Sequence, residues 1–139
     1  MFKKLNKKGF TLAELLVVVA IIGVLVAISI PIFTSQLNNA REAADLANER
    51  AAKAAAVAAY LTADDGTGTD PITYHYDAAA GTVSSTTAPK SGYGHDYTST
   101  GANGGTKGTK VEHNGQHVDV TVTPGTDGTA STTIIWGTK

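Results

Sequence analysis

The chain has 139 residues, no cysteine and a formal net charge of −1, with 11 basic and 12 acidic side chains. This length leaves room for one small domain beside a long apolar segment, and the lack of cysteine excludes disulfides and thiolate metal sites. Four of the basic residues lie within the first eight positions, so the part after residue 9 has 7 basic and 12 acidic side chains, a net charge of −5. An acidic domain does not attract nucleic acid through its overall field, so no specific nucleic-acid partner is predicted.

Residues 1–9 are predicted to be a leader that is removed. The segment is short, basic and ends in glycine, which is typical of a targeting signal and not of a packed fold. Its lysines and final glycine are Lys3, Lys4, Lys7, Lys8 and Gly9. Because positively charged flanks stay on the cytoplasmic side of a membrane, these lysines predict that the bulk of the chain lies outside.

Residues 10–34 are predicted to form a membrane-spanning helix. The 19 residues from Leu15 to Phe33 carry no charge, and 24 residues of helix counted from Phe10 span about 36 Å, enough to cross a hydrocarbon core of about 30 Å. One carboxylate, Glu14, lies near the start of this helix. Since a carboxylate in a bilayer costs about a few kcal/mol, Glu14 is expected either to pair with a positive charge or to lie at the level of the lipid headgroups.

Gly23 and Pro31 are predicted to weaken the same helix. Proline has no N–H to donate to the carbonyl oxygen of Ala27, and its ring clashes with that carbonyl. Glycine lowers helix stability through its backbone freedom. We therefore expect a kink or an opening near Pro31, although membrane helices also tolerate a proline kink without opening.

The N-terminal segment carries a family resemblance. It reads Lys7-Lys8-Gly9-Phe10-Thr11-Leu12-Ala13-Glu14-Leu15, followed by an aliphatic helix, and over roughly residues 1–40 it resembles the class III signal of type IV pilins and pseudopilins. The resemblance implies cleavage between Gly9 and Phe10 by a prepilin peptidase and N-methylation of the new Phe10 amine. It also implies that a pilus assembly platform extracts the helix from the membrane into a filament of identical subunits. In such a filament Glu14 would pair with the Phe10 amine of a neighbour.

Residues 35–63 are predicted to continue the helix in amphipathic form, to about Ala63. Small apolar residues at alternating steps of three and four predict a stripe that packs on a sheet or on another helix. The stripe consists of Leu37, Ala40, Ala44, Ala47, Ala51, Ala54, Ala58 and Leu61. The polar face carries possible ion pairs at i,i+4 spacing, Arg41 with Asp45 and Glu49 with Lys53.

Residues 64–139 are predicted to form a loop-rich antiparallel β domain. Period-two alternation indicates strands at 72–76, 82–86 and roughly 131–136, with a loop over 87–108. Asn114-Gly115 predicts a two-residue hairpin that places Val111 opposite Val118 and Lys110 opposite Asp119. The expected fold class is α+β, with one long N-terminal helix packed on a small antiparallel sheet of about four strands.

No catalytic site, metal site or cofactor is predicted. His113 and His117 have H-x3-H spacing but would point to opposite faces of the predicted hairpin, and His75 and His95 have no ligand-spaced neighbours. The acidic segment from Asp64 to Asp70 offers oxygen ligands for calcium but does not follow the 12-residue loop pattern.

The sequence therefore predicts a structural protein and not an enzyme. It would be a single-pass precursor in the inner or cytoplasmic membrane, with its C-terminal domain outside, that becomes a subunit of a cell-surface type IV pilus. Its partners would be copies of itself, the prepilin peptidase and methylase, and the assembly platform. One alternative is a pseudopilin of a type II secretion or DNA-uptake system. Another is a secreted binding domain released by an ordinary signal peptidase after Ser29.

Overall fold

A computed structural model describes residues 8–63, 70–101 and 106–137 of the chain. Within these ranges the regular elements are one helix and six strands. They are α1 (Leu12–Thr62), β1 (Ile72–Asp77), β2 (Thr82–Ser84), β3 (Asp96–Thr98), β4 (Lys110–Glu112), β5 (His117–Pro124) and β6 (Ala130–Gly137). One long helix packed on an antiparallel sheet confirms the predicted α+β class.

Helix α1 has 51 residues and is continuous through Gly23 and Pro31. It therefore does not open at the proline in this state. The chain divides inside α1 into two compact units, Met1–Leu37 and Asn38–Lys139. In the first unit the helix is the only regular element among the described residues, whereas in the second unit the rest of the helix packs on the sheet.

Strands β1, β2, β5 and β6 form one antiparallel sheet in the order β2-β1-β5-β6, which confirms the predicted sheet. The central strand β5 pairs with β6 along all eight of its residues, and with β1 from Val122 opposite Ile72 to Asp119 opposite His75. Strands β3 and β4 form a separate two-stranded sheet. Both edges of β5 are therefore occupied by β1 and β6.

Alternate residues of β5 provide the centre of the core. Val118, Val120 and Val122 are fully buried, since side chains two residues apart on a strand face the same side. Ala52 and Ala56 of α1 are fully buried in the same cluster, and their small side chains let the helix backbone come close to the sheet. Burying a valine is worth roughly 1.5 kcal/mol or more, so this small core is only a modest source of stability.

The predicted alanine stripe does not pack on the sheet. Its end residues Leu37 and Leu61 are 39% and 75% exposed, and most of the alanines between them are exposed as well. The face of α1 that is buried is rotated from the alanine stripe by about 100°, the angle between two consecutive residues of a helix. It consists of Glu42, Asp45, Ala52, Ala56 and Tyr60. Alanine fills nearly every position from 51 to 59, so alanine spacing does not distinguish the two faces, and polar contacts with the sheet decide between them.

The predicted hairpin between β4 and β5 is wrong. A turn does form, with the Gln116 N–H donating to the His113 carbonyl oxygen at 2.9 Å, but β4 pairs with β3. Positive φ is confined to glycines among the described residues, so Gly115 (φ 77°) adopts it and Asn114 does not. The type I′ hairpin turn that Asn-Gly favours requires positive φ at both residues. Since β1 and β6 occupy both edges of β5, β4 is left to pair elsewhere.

Strand β3 lies inside the segment 87–108, which was predicted to be a loop. It pairs with β4 at Tyr97 opposite Val111. A strand of three residues is too short to show the alternation by which strands are recognised in a sequence. The loop before β3 carries side chains that contact both the sheet and α1.

Tyr93 connects two strands where the ladder between β1 and β5 ends. The last pair of that ladder is His75 opposite Asp119. One residue further, the Tyr93 hydroxyl donates to the carbonyl oxygen of Tyr76 (3.1 Å) and accepts from the N–H of Val118 (2.9 Å). Burial raises the pKa of Tyr93 to about 12, so the hydroxyl retains the proton that it donates.

Candidate functional site

The residues around the predicted cleavage point lie before α1. Lys8, Gly9 and Phe10 have no regular secondary structure, and Phe10 is 87% exposed. Backbone outside a helix is free to be bound in extended form by a peptidase. The other lysines of the predicted topology signal, Lys3, Lys4 and Lys7, lie outside the described residues.

Thr11 and Glu14 form a reciprocal capping box at the start of α1. Glu14 Oε2 accepts from the Thr11 amide (2.8 Å) and from the Thr11 hydroxyl (2.9 Å), while the Glu14 amide donates to the Thr11 hydroxyl oxygen (3.2 Å). Such a box satisfies donors that the start of a helix leaves unpaired. The Thr-x-x-Glu spacing is visible in the sequence, but the predicted role of Glu14 was based on its charge and on the family resemblance.

The helix presents a continuous apolar surface from Phe10 to Phe33. Sixteen large apolar side chains in this range are at least 47% exposed. The helix is long and apolar enough to cross a membrane, with a mean hydropathy of 3.1 in its most apolar 18 residues, and the described residues bury none of that window. Exposed apolar surface of this extent requires a cover of lipid or protein.

Gly23 and Pro31, predicted to weaken the helix, both lie within this apolar segment. Apart from the neighbouring residues and the backbone of the surrounding helix turns, no described atom lies within 4 Å of the place where a Cβ at Gly23 would stand, so packing does not require glycine there. Near the proline, Ser29 Oγ donates to the Leu25 carbonyl oxygen (2.7 Å) and Thr34 Oγ1 donates to that of Pro31 (3.0 Å). Hydroxyl bonds of this kind compete with the helix ladder and favour bending.

Asp45, predicted to lie on the polar face of α1, is the centre of a buried cluster. Its side chain is 1% exposed and accepts from the backbone N–H of His95 (3.0 Å), from His95 Nδ1 (2.8 Å) and from His113 Nδ1 (3.2 Å). Three donors compensate a carboxylate for its lost water. The predicted pairing of Asp45 with Arg41 is replaced by these bonds, and Arg41 Nη1 donates instead to the Asp96 carbonyl oxygen (3.3 Å).

The single tryptophan of the chain extends this cluster. Trp136 Nε1 donates to Glu49 Oε1 at 2.8 Å. The indole ring stacks on the His113 ring, with centroids 4.1 Å apart and planes 17° apart. His113 is therefore held between the indole of β6 and the carboxylate of Asp45 on α1.

Glu42 binds the segment that follows β3. Its Oε2 accepts from the Thr100 hydroxyl (2.6 Å) and amide (3.1 Å), and its Oε1 accepts from the Ser99 hydroxyl (3.4 Å). Burial, and then the nearby charges of Asp45 and Glu42, raise the pKa of Tyr97 in β3. The acidic residues of the predicted polar face thus attach the β domain to the helix.

A second buried aspartate, Asp119 of β5, holds the other two histidines. Its Oδ1 lies 2.7 Å from His75 Nδ1 and 3.0 Å from His117 Nε2. His75 is the cross-strand partner of Asp119, and His117 precedes Asp119 by two residues, so the three side chains share one face of the sheet. Because Val118 and Val120 face the core with α1, the Asp119 cluster lies on the opposite face.

His75 and His117 therefore have the close ligand-type neighbours that their spacing in the sequence did not indicate. His117 is 2% exposed, and His75, His117 and Asp119 each offer a ligand atom, all within 4.8 Å of one another. The sequence interpretation missed this group because it paired β5 with β4, whereas the cluster forms between β5 and β1. Of the acidic segment considered for calcium, residues 64–69 lie outside the described residues.

Comparison with protein families identifies the N-terminal segment. The family model described as "Prokaryotic N-terminal methylation motif" matches residues 4–30. This motif is the hallmark of type IV pilins and of the class III signal peptide, so the resemblance predicted for this segment is confirmed. Comparisons with curated proteins and with solved structures give no match. Both histidine clusters lie outside the matched range.

Proposed function

We propose that the chain is the precursor of a structural subunit of a type IV pilus. A prepilin peptidase cleaves it between Gly9 and Phe10, the Phe10 amine is methylated, and the assembly platform adds the subunit to a cell-surface filament. Before assembly the precursor crosses the inner or cytoplasmic membrane once, with the β domain outside. The observation that carries the proposal is the methylation motif at the head of a helix whose apolar surface is uncovered within the chain.

The apolar surface supports storage in the membrane followed by burial among neighbouring subunits. Burying one large aliphatic or aromatic side chain is worth roughly 1.5–3 kcal/mol relative to exposure in water. Burial of the sixteen such side chains between Phe10 and Phe33 therefore outweighs the cost of placing the Glu14 carboxylate in a bilayer, which is roughly a few kcal/mol. The same surface is covered equally well by the helices of other copies.

The position of Glu14 supports a role in setting the axial register of neighbouring subunits. Thr11 binds Oε2, and no described residue donates to Oε1, which can therefore accept from the methylated Phe10 amine of the next subunit. Two opposite unit charges about 4 Å apart attract by about 4 kcal/mol at an effective dielectric constant of about 20. Apolar side chains slide past one another with little preference, so one such ion pair selects a single axial position.

The exposed alanine stripe, from Ala40 to Ala58, supports the same role. Because α1 uses its polar face to bind the sheet, the small side chains remain uncovered within the chain. Small residues permit close approach of helix backbones. Helices of neighbouring subunits would cover this stripe in a filament.

Mass spectrometry of the mature N-terminus tests the processing step. A chain that begins at N-methylated Phe10 supports the proposal, and an intact Met1 contradicts it. A chain that begins after Ser29 also contradicts it and identifies the protein as a secreted domain released by an ordinary signal peptidase.

Imaging of the cell surface tests the assembly step. Long filaments labelled by an antibody against the β domain support a pilus subunit. A processed chain that never enters long filaments is the result expected of a pseudopilin in a type II secretion or DNA-uptake system, and it contradicts the pilus role.

A further inference from the structure

We propose that His75, His117 and Asp119 bind one divalent transition-metal ion of the zinc type on the face of the sheet turned away from α1. The ligand atoms are His75 Nδ1, His117 Nε2 and Asp119 Oδ1, which the structure already brings together. The ion would join β1 to β5 in a domain that has no disulfide. This inference does not depend on the role proposed for the N-terminal helix.

The distances between the three atoms suit a metal ion. Asp119 Oδ1 lies 2.7 Å from His75 Nδ1 and 3.0 Å from His117 Nε2. In a tetrahedral zinc site with bonds of about 2.0–2.1 Å, neighbouring ligand atoms are about 3.3 Å apart. Each imidazole nitrogen would move away from Asp119 Oδ1 by about 0.3–0.6 Å to admit the ion, and the two nitrogens, which lie within 4.8 Å of each other, would settle at the same spacing of about 3.3 Å.

The strand register places the three ligands without distortion of the backbone. His75 and Asp119 are cross-strand partners, and His117 lies on the same face two residues before Asp119. The partner of His117 in β6 is Gly137, where a Cβ would collide with Asp119 Oδ2 and lie 3.1 Å from His117 Nε2. Glycine at this position therefore keeps a β6 side chain out of the cluster.

The cluster is shielded from solvent on one side and open on the other. His117 is 2% exposed and Asp119 is 7% exposed, whereas the side chain of His75 is 26% exposed. His75 also lines a cavity of about 450 Å³ beside β2, together with Thr82 and Lys90. An ion can reach the ligands from this cavity, and a water molecule there can take the fourth coordination position.

Hydrogen bonding alone does not account for the burial of His117. When its Nε2–H donates to Asp119, the other ring nitrogen, Nδ1, is a buried acceptor without a partner among the described residues. An unsatisfied buried polar atom is costly, and a network that contains one has to be compensated elsewhere. An ion bound at Nε2 would leave Nδ1 as a buried N–H, so the free energy of metal binding, and not a new hydrogen bond, would offset the cost of burying this ring.

The ligand set selects the class of metal. Imidazole nitrogens are preferred by zinc, copper and nickel, whereas magnesium and calcium are bound by oxygen ligands. Two imidazoles and one carboxylate form a site with one open position, as in many zinc centres. We therefore expect zinc to bind and magnesium not to compete.

Zinc binding by the full chain, purified in detergent without a polyhistidine tag, tests this proposal. We expect one zinc ion per chain by equilibrium dialysis and metal analysis, undiminished by excess magnesium. His75→Gln is expected to weaken zinc binding at least tenfold because it removes one of three ligands. His95→Gln is the matched control, since it removes a histidine that contacts Asp45 instead, and its zinc affinity is expected to be unchanged.

A second variant and a second metal distinguish the loss of a metal ligand from a folding defect in one variant. Asp119→Asn, nearly the same shape as aspartate, is also expected to lose at least tenfold in zinc affinity. Cobalt in place of zinc is expected to give visible absorption bands of a tetrahedral site in the unmutated chain and not in His75→Gln. Failure of the unmutated chain to retain zinc overturns the proposal, as does equal zinc affinity in the unmutated, His75→Gln and His95→Gln chains.

Discussion

Replacing Asp45 by alanine tests whether the polar face of α1 holds the β domain. The variant leaves the backbone N–H of His95 and the Nδ1–H of His113 without their acceptor, whereas the His95 ring, 44% exposed, can turn to water. Each of these two hydrogen bonds to a charged acceptor contributes about 1.5–3 kcal/mol. The higher helix propensity of alanine offsets about 0.6 kcal/mol of the loss. We therefore expect the free energy of unfolding to fall by about 2–5 kcal/mol.

Urea unfolding of the full chain in detergent, followed by the fluorescence of Trp136, measures this loss. Trp136 is the single tryptophan, and it both stacks on His113 and donates to Glu49, so its emission reports the separation of α1 from the sheet. In a domain of this size, each kcal/mol lowers the melting temperature by roughly 4–8 °C. A decrease of roughly 10 °C or more is expected in a thermal scan.

Two further variants separate the possible causes. Lys53→Ala changes an exposed position of the same helix, and its stability is expected to stay within about 0.5 kcal/mol of the unmutated chain. Asp45→Asn keeps one acceptor oxygen but turns an NH₂ group toward a donor, so an intermediate loss of about 1.5–3 kcal/mol is expected. If Asp45→Ala were as stable as Lys53→Ala, the argument that buried polar contacts attach the β domain would be refuted.

Other substitutions test single features of the chain. Tyr93→Phe removes the hydroxyl between β1 and β5 and is expected to cost about 1–2 kcal/mol in the same urea assay; an unchanged midpoint would contradict the bridging role. Folding raises the pKa of Tyr93 from 10.0 to about 12, so ionisation of its hydroxyl opposes folding. The contribution of this group to the free energy of unfolding is complete below pH 10 and is lost as the pH rises through about 12. The loss is on the order of 1 kcal/mol after solvent screening, and this component is expected to be missing from the Tyr93→Phe titration. Gly94→Ala would drive a Cβ against the ring of Trp136 and is expected to destabilise the domain and to shift the tryptophan emission, with unshifted emission arguing against close packing. Gly9→Leu is expected to retain residues 1–9 and Gly9→Ala to lose them, read by intact mass; normal maturation of Gly9→Leu would exclude cleavage at this glycine. Glu14→Val is expected to be cleaved and inserted but to assemble poorly, and a normal filament yield would refute pairing with the Phe10 amine.

Patterns that repeat over many residues were sufficient to predict the main elements. The helix was predicted to within two residues at each end, because both its apolar and its amphipathic parts extend over many turns. Val118, Val120 and Val122 alternate along β5, a pattern that places side chains on one face of a strand, and all three are fully buried. The methylation motif rests on a contiguous run of residues, so it too was recognisable without a structure.

Contacts between distant residues were not predictable in this way. Asp45 is 50 positions from His95, and His75 is 44 positions from Asp119. Each contact depends on which strands become neighbours, and a local turn signal such as Asn114-Gly115 locates a turn without specifying the partners of its strands. A carboxylate on a helix is usually solvated. The burial of Asp45 therefore became visible only with its histidine partners in place.

The two aspartate clusters explain how a domain with a small apolar core and no disulfide holds together. Asp45 attaches the loop before β3 and the turn after β4 to the helix, and Asp119 joins β1 to β5. Each cluster therefore connects segments that lie far apart in the chain. Because Glu42, Asp45 and Glu49 bind the β domain inside the subunit, the small apolar side chains of the alanine stripe remain available to neighbouring subunits. In the proposed filament, subunits would therefore pack through α1 without rearranging the contacts that hold the β domain.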